Sequence, residues 1–315
     1  MKKYNLVILG AGPAGLTAAI YGRRAGMTVL VVERDSHGGQ IKLTNSVENW
    51  PGTQEINGYD LGSTFYEHAK SVGTEFLSAT VVGLDIRDNK RFVITSAEEV
   101  EADTVIVATG ASFRLLGVPG EAEYTGRGVS YCAVCDGPFY RNQEVAVVGG
   151  GNTALQEAEY LTSFASKVHL IHRRGEFRAG KHLVDRILAQ EKIVPHLHAT
   201  VSSIAGDDSG VTRLYLRDVR DGQETELEAP GVFIFVGTTP HSSFLGGLLE
   251  LAGDGSIITD HHLVTSEPGV FAAGDVRDTD LRQVVTAAAD GARAAMGAYH
   301  FINRPGDSHH MGHNK

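Results

Sequence analysis

The chain has 315 residues, enough for two domains, and its 42% hydrophobic and 21% charged residues exclude intrinsic disorder as the default. A formal net charge of −10 argues against nucleic acid or an anionic membrane as a partner, because both would repel the protein. Two cysteines are too few for a secreted disulfide framework, so the composition predicts a protein of the reducing cytoplasm.

The N-terminal residues superficially resemble a signal peptide, because two lysines precede an apolar run. That run is interrupted by glycines and then meets Arg23 and Arg24. No segment approaches the roughly 18 uninterrupted apolar residues of a membrane span. The sequence therefore predicts no membrane-spanning segment.

Residues 1–35 carry the pattern of a dinucleotide-binding unit. Residues 4–9 and 28–33 predict strands, and residues 16–26 predict the helix between them. The glycines of GAGPAG would make a tight turn, let a pyrophosphate approach the backbone and pack the helix against the strand. An acidic residue at the end of the second strand would accept hydrogen bonds from an adenosine ribose. The candidate cofactor-binding residues here are Gly10, Gly12, Pro13, Ala14, Gly15 and Glu33.

Both cysteines lie in SYCAVCDGPFY at 130–140, as a C-x-x-C pair followed by Asp136. Haem attachment is excluded, because it requires a histidine directly after the second cysteine. A structural zinc site needs four ligands, so histidines or a second subunit would have to supply two of them. The redox-active dithiol is the favoured interpretation, and it requires a source or sink of electrons.

The dinucleotide-binding pattern repeats at 144–174. Gly149, Gly151 and Ala154 form a G-x-G-x-x-A, and His172 stands as far after Gly149 as Glu33 stands after Gly10. A carboxylate suits the free ribose hydroxyls of FAD or NAD, whereas basic residues suit the 2′-phosphate of NADP. The candidate residues of this second unit are Gly149, Gly151, Asn152, Thr153, Ala154, His172, Arg173, Arg174 and Arg178. A solvated basic turn is the alternative.

Two dinucleotide units in one chain indicate a flavin and a nicotinamide. Two further predicted strands support this: 102–112, which ends in a turn containing Ala108, Thr109 and Gly110, and 268–276, which contains Gly274 and Asp275. Asp275 is well placed for the ribityl hydroxyls of a flavin, although a turn aspartate is the alternative. His309, His310 and His313 at the C-terminus could bind a metal, but a frayed polar tail is favoured and no metal is predicted.

Nearly the whole chain resembles the low-molecular-weight thioredoxin reductases, a branch of the pyridine nucleotide-disulfide oxidoreductases. The motifs that carry the resemblance are GAGPAG at 10–15, GGQ at 38–40, ENWPG at 48–52, ATGA at 108–111, CAVCDG at 132–137, GGGNTA at 149–154, HRRGEFRA at 172–179, FAAGD at 271–275 and RQV at 282–284. Departures within them are minor: Val134, Pro138 and the Gly175-Glu176 pair.

The resemblance implies an α/β fold with two Rossmann-like, three-layer domains, of which the NADPH domain is inserted into the FAD domain. The expected bounds are 1–115 and 244–315 for the FAD domain and 116–243 for the NADPH domain. It also implies a homodimer that transfers hydride from NADPH to FAD and then electrons, through the cysteine pair, to the disulfide of thioredoxin or a thioredoxin-like small thiol protein.

The resemblance also suggests roles for single residues. Cys135 faces the flavin and starts the exchange with the substrate, Cys132 resolves it, and Asp136 is the neighbouring acid. Further flavin contacts are expected from Gly39, Gln40, Asn49, Arg282, Gln283 and Val284.

Two other functions remain open at this point: a flavoprotein that serves a glutaredoxin-like or peroxiredoxin partner, and a flavin redox sensor without turnover. Alkyl hydroperoxide reductase flavoproteins share the C-x-x-C-D-G-P pattern, so the partner is less determined than the reaction. For Asp136 itself, a cap on the following turn is the alternative to an acid-base role.

Overall fold

The computed structural model describes residues 1–44 and 46–303. The tail histidines His309, His310 and His313 lie outside the described residues. The chain divides into two compact units, one formed by Met1–Ser112 together with the chain from Thr239 onward, the other by Phe113–Thr238. The second unit is thus an insertion within the sequence of the first.

The described residues contain seventeen strands and six α-helices, which are numbered in chain order. The strands are β1 Lys3–Leu9, β2 Val29–Glu33, β3 Glu75–Ser78, β4 Val81–Arg87, β5 Lys90–Thr95, β6 Glu99–Val107, β7 Ala111–Phe113, β8 Val129–Ser130, β9 Glu144–Gly149, β10 Lys167–His172, β11 Ile193–Leu197, β12 Ala199–Asp207, β13 Gly210–Asp218, β14 Glu224–Glu228, β15 Gly231–Phe235, β16 Thr238–Pro240 and β17 Val270–Ala272. The helices are α1 Pro13–Arg24, α2 Gly58–Ser71, α3 Ala133–Asp136, α4 Asn152–Leu161, α5 Lys181–Leu188 and α6 Val284–Asn303.

The first unit is built on a sheet of order β3-β2-β1-β6-β5-β4, with β17 also paired to β6. The pairs of β1 with β2 and with β6 are parallel, and β5 pairs antiparallel with both neighbours. Alternate residues of β1 serve two cores: Leu6 and Ile8 face the cluster that includes α1 and α6, whereas Val7 and Leu9 face the opposite one. This burial on both faces explains why β1 is a continuous apolar run.

The second unit repeats this layering on a smaller scale. Its parallel sheet has the order β11-β10-β9-β15-β8, and a separate antiparallel sheet has the order β12-β13-β14. Leu155 and Leu161 of α4 cover one face of the parallel sheet, and Leu214 and Leu216 of β13 cover the other. The predicted α/β class with two three-layer, Rossmann-like units is confirmed.

The remaining strands, β7 and β16, pair with each other. Among residues 1–44 and 46–303, no helix is both long enough and apolar enough to cross a bilayer.

Candidate functional site

The first cradle is a glycine turn between β1 and α1. Gly10 has φ +109°, and a Cβ there would lie 2.4 Å from the Ala108 carbonyl oxygen at the end of β6. A Cβ on Gly15 would lie 1.9 Å from the Gly10 carbonyl oxygen. The sequence motif therefore reflects two close approaches: the turn against β6, and α1 against the turn. Pro13 occupies the first position of α1, whose amino end closes the cradle.

Glu33 and the segment after β2 complete this cradle. One carboxylate oxygen of Glu33 accepts a hydrogen bond from the Ala11 amide at 2.8 Å, which ties the end of β2 to the glycine turn. Gly39 lies so close to Gly12 that a Cβ on Gly39 would be 3.0 Å from the Gly12 Cα. Backbone without side chains thus faces the cradle from both sides, as a bound pyrophosphate requires.

We expect Gly15→Ala to lower the free energy of unfolding by about 1–3 kcal/mol, because the added Cβ forces α1 away from the turn. The displaced helix should also retain FAD less tightly. Thermal unfolding and flavin content of the purified protein measure both effects. Gly253→Ala is the matched control, since no atom lies within 4 Å of its Cβ; equal behaviour of the two variants would refute the packing role of Gly15.

The loop after β17 places Gly274 and Asp275 against the first cradle. A Cβ on Gly274 would be 3.0 Å from the Ala14 Cβ in the first turn of α1. The Gly274 amide donates to Asp290 Oδ2 at 3.1 Å, and Arg277 donates to the same oxygen at 2.8 Å. Burial, reinforced by the negative charge of Asp290 and opposed by Arg282, raises the pKa of Asp275 to about 6. A half-buried carboxyl beside the cradle suits a ligand that brings hydroxyl donors.

Asp275→Asn is expected to raise the stability of the FAD-free protein at pH 7 by about 3 kcal/mol, because the folded state holds the Asp275 pKa above its unfolded value. The sign follows from the raised pKa: the cost of the charge is present above about pH 6 and absent below about pH 4, where both states are protonated. Urea unfolding of the two proteins across this range is the measurement. The exposed Asp278 supplies the control, Asp278→Asn; a gain that does not depend on pH would contradict the prediction.

The residues expected beside the flavin ring come together from distant segments. Asn49 donates to the side-chain oxygen of Gln283 at 2.9 Å. Val284, the first residue of α6, packs against Ile41 next to Gln40. Arg282 has a buried Nε without a hydrogen-bond partner within the described part of the chain. Such an orphaned donor, with the glycine cradle and the half-buried Asp275, fits a flavin nucleotide.

Ala108–Gly110 form the turn that follows β6, and two hydrogen bonds to His241 hold this turn in place. Thr109 donates its hydroxyl proton to the His241 carbonyl at 2.7 Å. Gly110 has φ +70°, and its carbonyl accepts from the His241 amide at 2.9 Å.

The second cradle lies between β9 and α4. Gly149 has φ +157°, and a Cβ there would be 2.5 Å from the Ala154 Cβ. The segment after β10 folds back onto this turn: the Arg178 amide donates to the Gly150 carbonyl at 2.7 Å, and the Gly180 amide donates to Asn152 Oδ1 at 2.9 Å. These contacts bring Arg178 to the glycine turn. Gly151 caps α4 and Thr153 is exposed in its first turn.

The candidate basic residues at and after the end of β10 differ in their exposure to solvent. Arg173, Arg174 and Arg178 are exposed, and within residues 1–44 and 46–303 their guanidinium groups have no hydrogen-bond or ion-pair partner. His172 is only 6% exposed. Burial, opposed by a backbone hydrogen bond and aided by the charges of the three arginines, lowers the pKa of His172.

Burial thus disfavours the charged form of His172, which the sequence analysis grouped with the basic residues. Its ring lies against Gly150, where a Cβ would be 2.2 Å from Nδ1, and its Nε2 is buried without a hydrogen-bond partner among the described residues. Three exposed guanidinium groups in the segment that folds back onto the glycine turn fit a nucleotide with an additional phosphate.

Cys132 and Cys135 form a disulfide at the start of α3. Cys132 caps that helix, and its sulfur accepts a hydrogen bond from the Cys135 amide at 3.2 Å. The two sulfur atoms are bonded to each other, and this disulfide is the oxidised form of the predicted redox-active dithiol. Among residues 1–44 and 46–303, no group of three or more histidines, cysteines or carboxylates is arranged to hold a metal ion.

Asp136 ends α3 in a largely enclosed environment. Burial raises its pKa, and a hydrogen bond from Ser130, 2.5 Å from Ser130 Oγ to Asp136 Oδ2, opposes that rise. A carboxyl whose pKa burial raises is a candidate for acid–base chemistry at the adjacent cysteines. Asp136 stands at the N-cap position of the following turn, Gly137–Tyr140, but its side chain makes no capping hydrogen bond there.

Sequence reasoning missed three residues of these centres. Gly150 stands between the two motif glycines and makes room for His172. Asp290, far along α6, fixes the Gly274 turn. Ser130, two positions before the first cysteine, binds Asp136. Of the three, only Ser130 left a signal in the sequence, its place two positions before the first cysteine of the C-x-x-C pair.

The amino-acid sequence is similar to a known protein family over nearly the whole chain. Residues 4–291 match the family described as pyridine nucleotide-disulphide oxidoreductase. The chain is 43% identical over 303 residues to a protein of Bacillus subtilis (strain 168) named thioredoxin reductase, covering 96% of this chain and 95% of that protein. It is also 43% identical over 315 residues to the thioredoxin reductase of Vibrio cholerae, covering 97% and 99% of the two chains.

Solved structures give the same result. The thioredoxin reductase of Streptococcus pyogenes MGAS5005 matches with a TM-score of 0.90 and 45% identity, over 96% of this chain and 98% of that one. The thioredoxin reductase from Giardia duodenalis matches with a TM-score of 0.93 and 38% identity, over 96% and 100%. Each of these two solved structures thus matches this chain over almost the full length of both partners in the comparison.

Proposed function

The chain belongs to the pyridine nucleotide-disulphide oxidoreductase family, and from that membership we propose that it is an NADPH-dependent, FAD-containing thioredoxin-disulfide reductase. The observation that carries the proposal is the Cys132–Cys135 disulfide beside Asp136, in a chain that also holds two dinucleotide cradles. Both curated relatives compared above are named thioredoxin reductase.

We place FAD in the unit that contains β1 and NADPH in the inserted unit. Gly10, Gly12 and Gly15 would hold the pyrophosphate of FAD, Glu33 its ribose, and Asp275 its ribityl hydroxyls. These residues would hold a group that supplies redox chemistry between NADPH and the disulfide.

The second cradle would select its nucleotide by charge. Gly149 and Gly151 leave room for the pyrophosphate of NADPH, and the free guanidinium groups of Arg173 and Arg174 would bind its 2′-phosphate. Arg178, held at the Gly150 carbonyl through its amide, would add a third donor group.

The last step, reduction of the partner's disulfide, uses the two cysteines of this chain. Thiol–disulfide exchange proceeds through a thiolate, so one cysteine must lose a proton and a departing sulfur must regain one. Asp136 would move that proton. Cys135 would begin the exchange and Cys132 would complete it by re-forming the disulfide.

The proposed partner is thioredoxin or a thioredoxin-like small thiol protein. The relatives' names support thioredoxin, and we further propose a cytoplasmic homodimer on the family resemblance alone. Light scattering of the purified protein tests the dimer.

The test of function mixes the purified yellow protein with NADPH and, separately, thioredoxin, a glutaredoxin-like protein and a peroxiredoxin. NADPH oxidation followed by absorbance, together with thiols formed, reports turnover. Oxidation of NADPH with thioredoxin at the highest kcat/KM supports the proposal. A higher kcat/KM with another partner would reassign the substrate, and no thiol formation with any of them would leave the redox sensor as the function.

A further inference from the structure

A third polar group, the Ser130 hydroxyl, lies beside the sulfur and carboxyl groups of the dithiol centre. Ser130 ends β8, which pairs in parallel with β15, and is only 4% exposed. Its position in the sheet is therefore fixed independently of α3. A buried hydroxyl has to find partners, and those of Ser130 are both at the redox centre.

The Ser130 hydroxyl makes a bridge. Oγ lies 2.5 Å from Asp136 Oδ2, to which it donates its proton, and it accepts a hydrogen bond from the Cys132 amide at 3.1 Å. The Cys132 carbonyl, at 3.3 Å, is the longer alternative acceptor for the same proton. One oxygen thus links the carboxyl at the end of α3 to the backbone of the cysteine at its start.

We propose that Ser130 is a positioning residue of the dithiol centre: its hydroxyl fixes the Asp136 carboxylate relative to Cys132 and favours the ionised form that takes up a proton from a reacting thiol. This inference rests on the proposed function and deepens it. Ser130 itself forms no covalent bond and remains protonated throughout.

Two further titratable side chains stand on the elements that adjoin Asp136, whose side-chain hydrogen bond is to Ser130. Tyr140, in the turn after α3, has its pKa raised to about 12 by burial and by the negative charge of Asp136, so its phenol stays neutral. Glu157 of α4, the helix that packs against α3, has its pKa raised by burial alone. The pKa of Asp136 reflects burial, which raises it, and Ser130, which lowers it.

The thiol–disulfide exchange that Asp136 assists needs no reactants other than the reduced cysteine pair and the disulfide of the partner. A thiolate of the reduced pair attacks an external disulfide, forms a mixed disulfide and expels one partner thiolate. The second cysteine, as thiolate, then breaks the mixed disulfide, closes the Cys132–Cys135 bond and expels the other partner thiolate. Two electrons and two protons pass to the partner, and Asp136, which accepts and returns protons, ends unchanged.

Ser130→Ala tests the proposal, because it removes the hydroxyl with little change of volume. Loss of a hydrogen bond to the charged form raises the pKa of Asp136 further, so protonated Asp136 persists to higher pH. The acid limb of kcat/KM for disulfide reduction should move to higher pH, with a rate roughly tenfold lower on that limb. Ser130→Thr, which keeps the hydroxyl, should restore the parent profile.

A second readout does not depend on turnover. The infrared carbonyl band of a protonated carboxyl, assigned as Asp136 by its loss in Asp136→Asn, should persist to higher pH in Ser130→Ala than in the parent. Ser202→Ala is the matched control, since the Ser202 hydroxyl donates to the Tyr215 carbonyl at 3.1 Å in the antiparallel sheet of the same unit. It should leave both readouts unchanged.

The outcomes separate the two proposals. A parent that reduces no protein disulfide defeats the proposed function. An active parent whose pH profile and infrared titration coincide with those of Ser130→Ala defeats the role of Ser130 alone, as does an equal shift in Ser202→Ala. Retained reduction of ferricyanide by NADPH shows that Ser130→Ala is folded; should it not fold, Ser130→Gly removes the same hydroxyl and is judged by the same criteria.

Discussion

Replacing Cys135 by serine is expected to abolish the reduction of protein disulfides, a loss on the order of 10³-fold or more, because the serine hydroxyl cannot form the disulfide through which electrons leave. The variant should still bind FAD, since Cys135 belongs to neither glycine cradle. It should also still oxidise NADPH when ferricyanide, which needs no thiol, is the acceptor. The measurements are turnover with thioredoxin, flavin content and ferricyanide reduction.

Cys132→Ser is the matched variant, because it removes the other sulfur of the same disulfide. If Cys135 begins the exchange, Cys132→Ser should trap a mixed disulfide with the partner protein, visible as a larger species on non-reducing gels, and Cys135→Ser should not. The dithiol assignment is wrong if Cys135→Ser reduces thioredoxin at the parent rate. Trapping by Cys135→Ser alone would exchange the roles of the two cysteines.

The second large effect is expected for nucleotide choice. Changing Arg173 and Arg174 together to alanine should weaken NADPH by about 10²–10³-fold, because each guanidinium contributes a charged hydrogen bond of about 1.5–2 kcal/mol. NADH lacks the 2′-phosphate, so its weaker use should change little. Since the 2′-phosphate is remote from the hydride, the loss should appear in KM rather than kcat.

Steady-state kinetics with both nucleotides is the measurement. Arg213→Ala combined with Arg217→Ala removes the same two charges from β13, where these arginines pair with Glu226 and Glu224. That control should leave the KM for NADPH near the parent value. A parent that prefers NADH, or an equal loss for both nucleotides, would show that Arg173 and Arg174 do not bind a 2′-phosphate.

Much of the fold was predictable because its signals are local. Gly10, Gly15 and Glu33 stand within one continuous strand–helix–strand segment, and the glycine spacing alone encodes the close approaches that the structure contains. The same holds for Gly149 and Ala154 in the second unit. The insertion of one domain into the other was an expectation from the family resemblance, not from the spacing of the glycines.

Charge states were not predictable in this way. His172 is basic by residue type, yet its burial against Gly150 lowers its pKa. Asp275 is acidic by type, yet burial raises its pKa to about 6. Ionisation depends on the solvent and charges around a side chain, which the residue type does not specify.

The sequence by itself determined two glycine cradles, one closed by a carboxylate and one by arginines, and a C-x-x-C pair with an adjacent acid. Only the tertiary structure decided which distant residues meet at them: Gly274 against Ala14, and Asn49 with Gln283. The physical reason is that regular spacing fixes contacts within one segment, whereas contacts between segments follow from how complete sheets and helices pack.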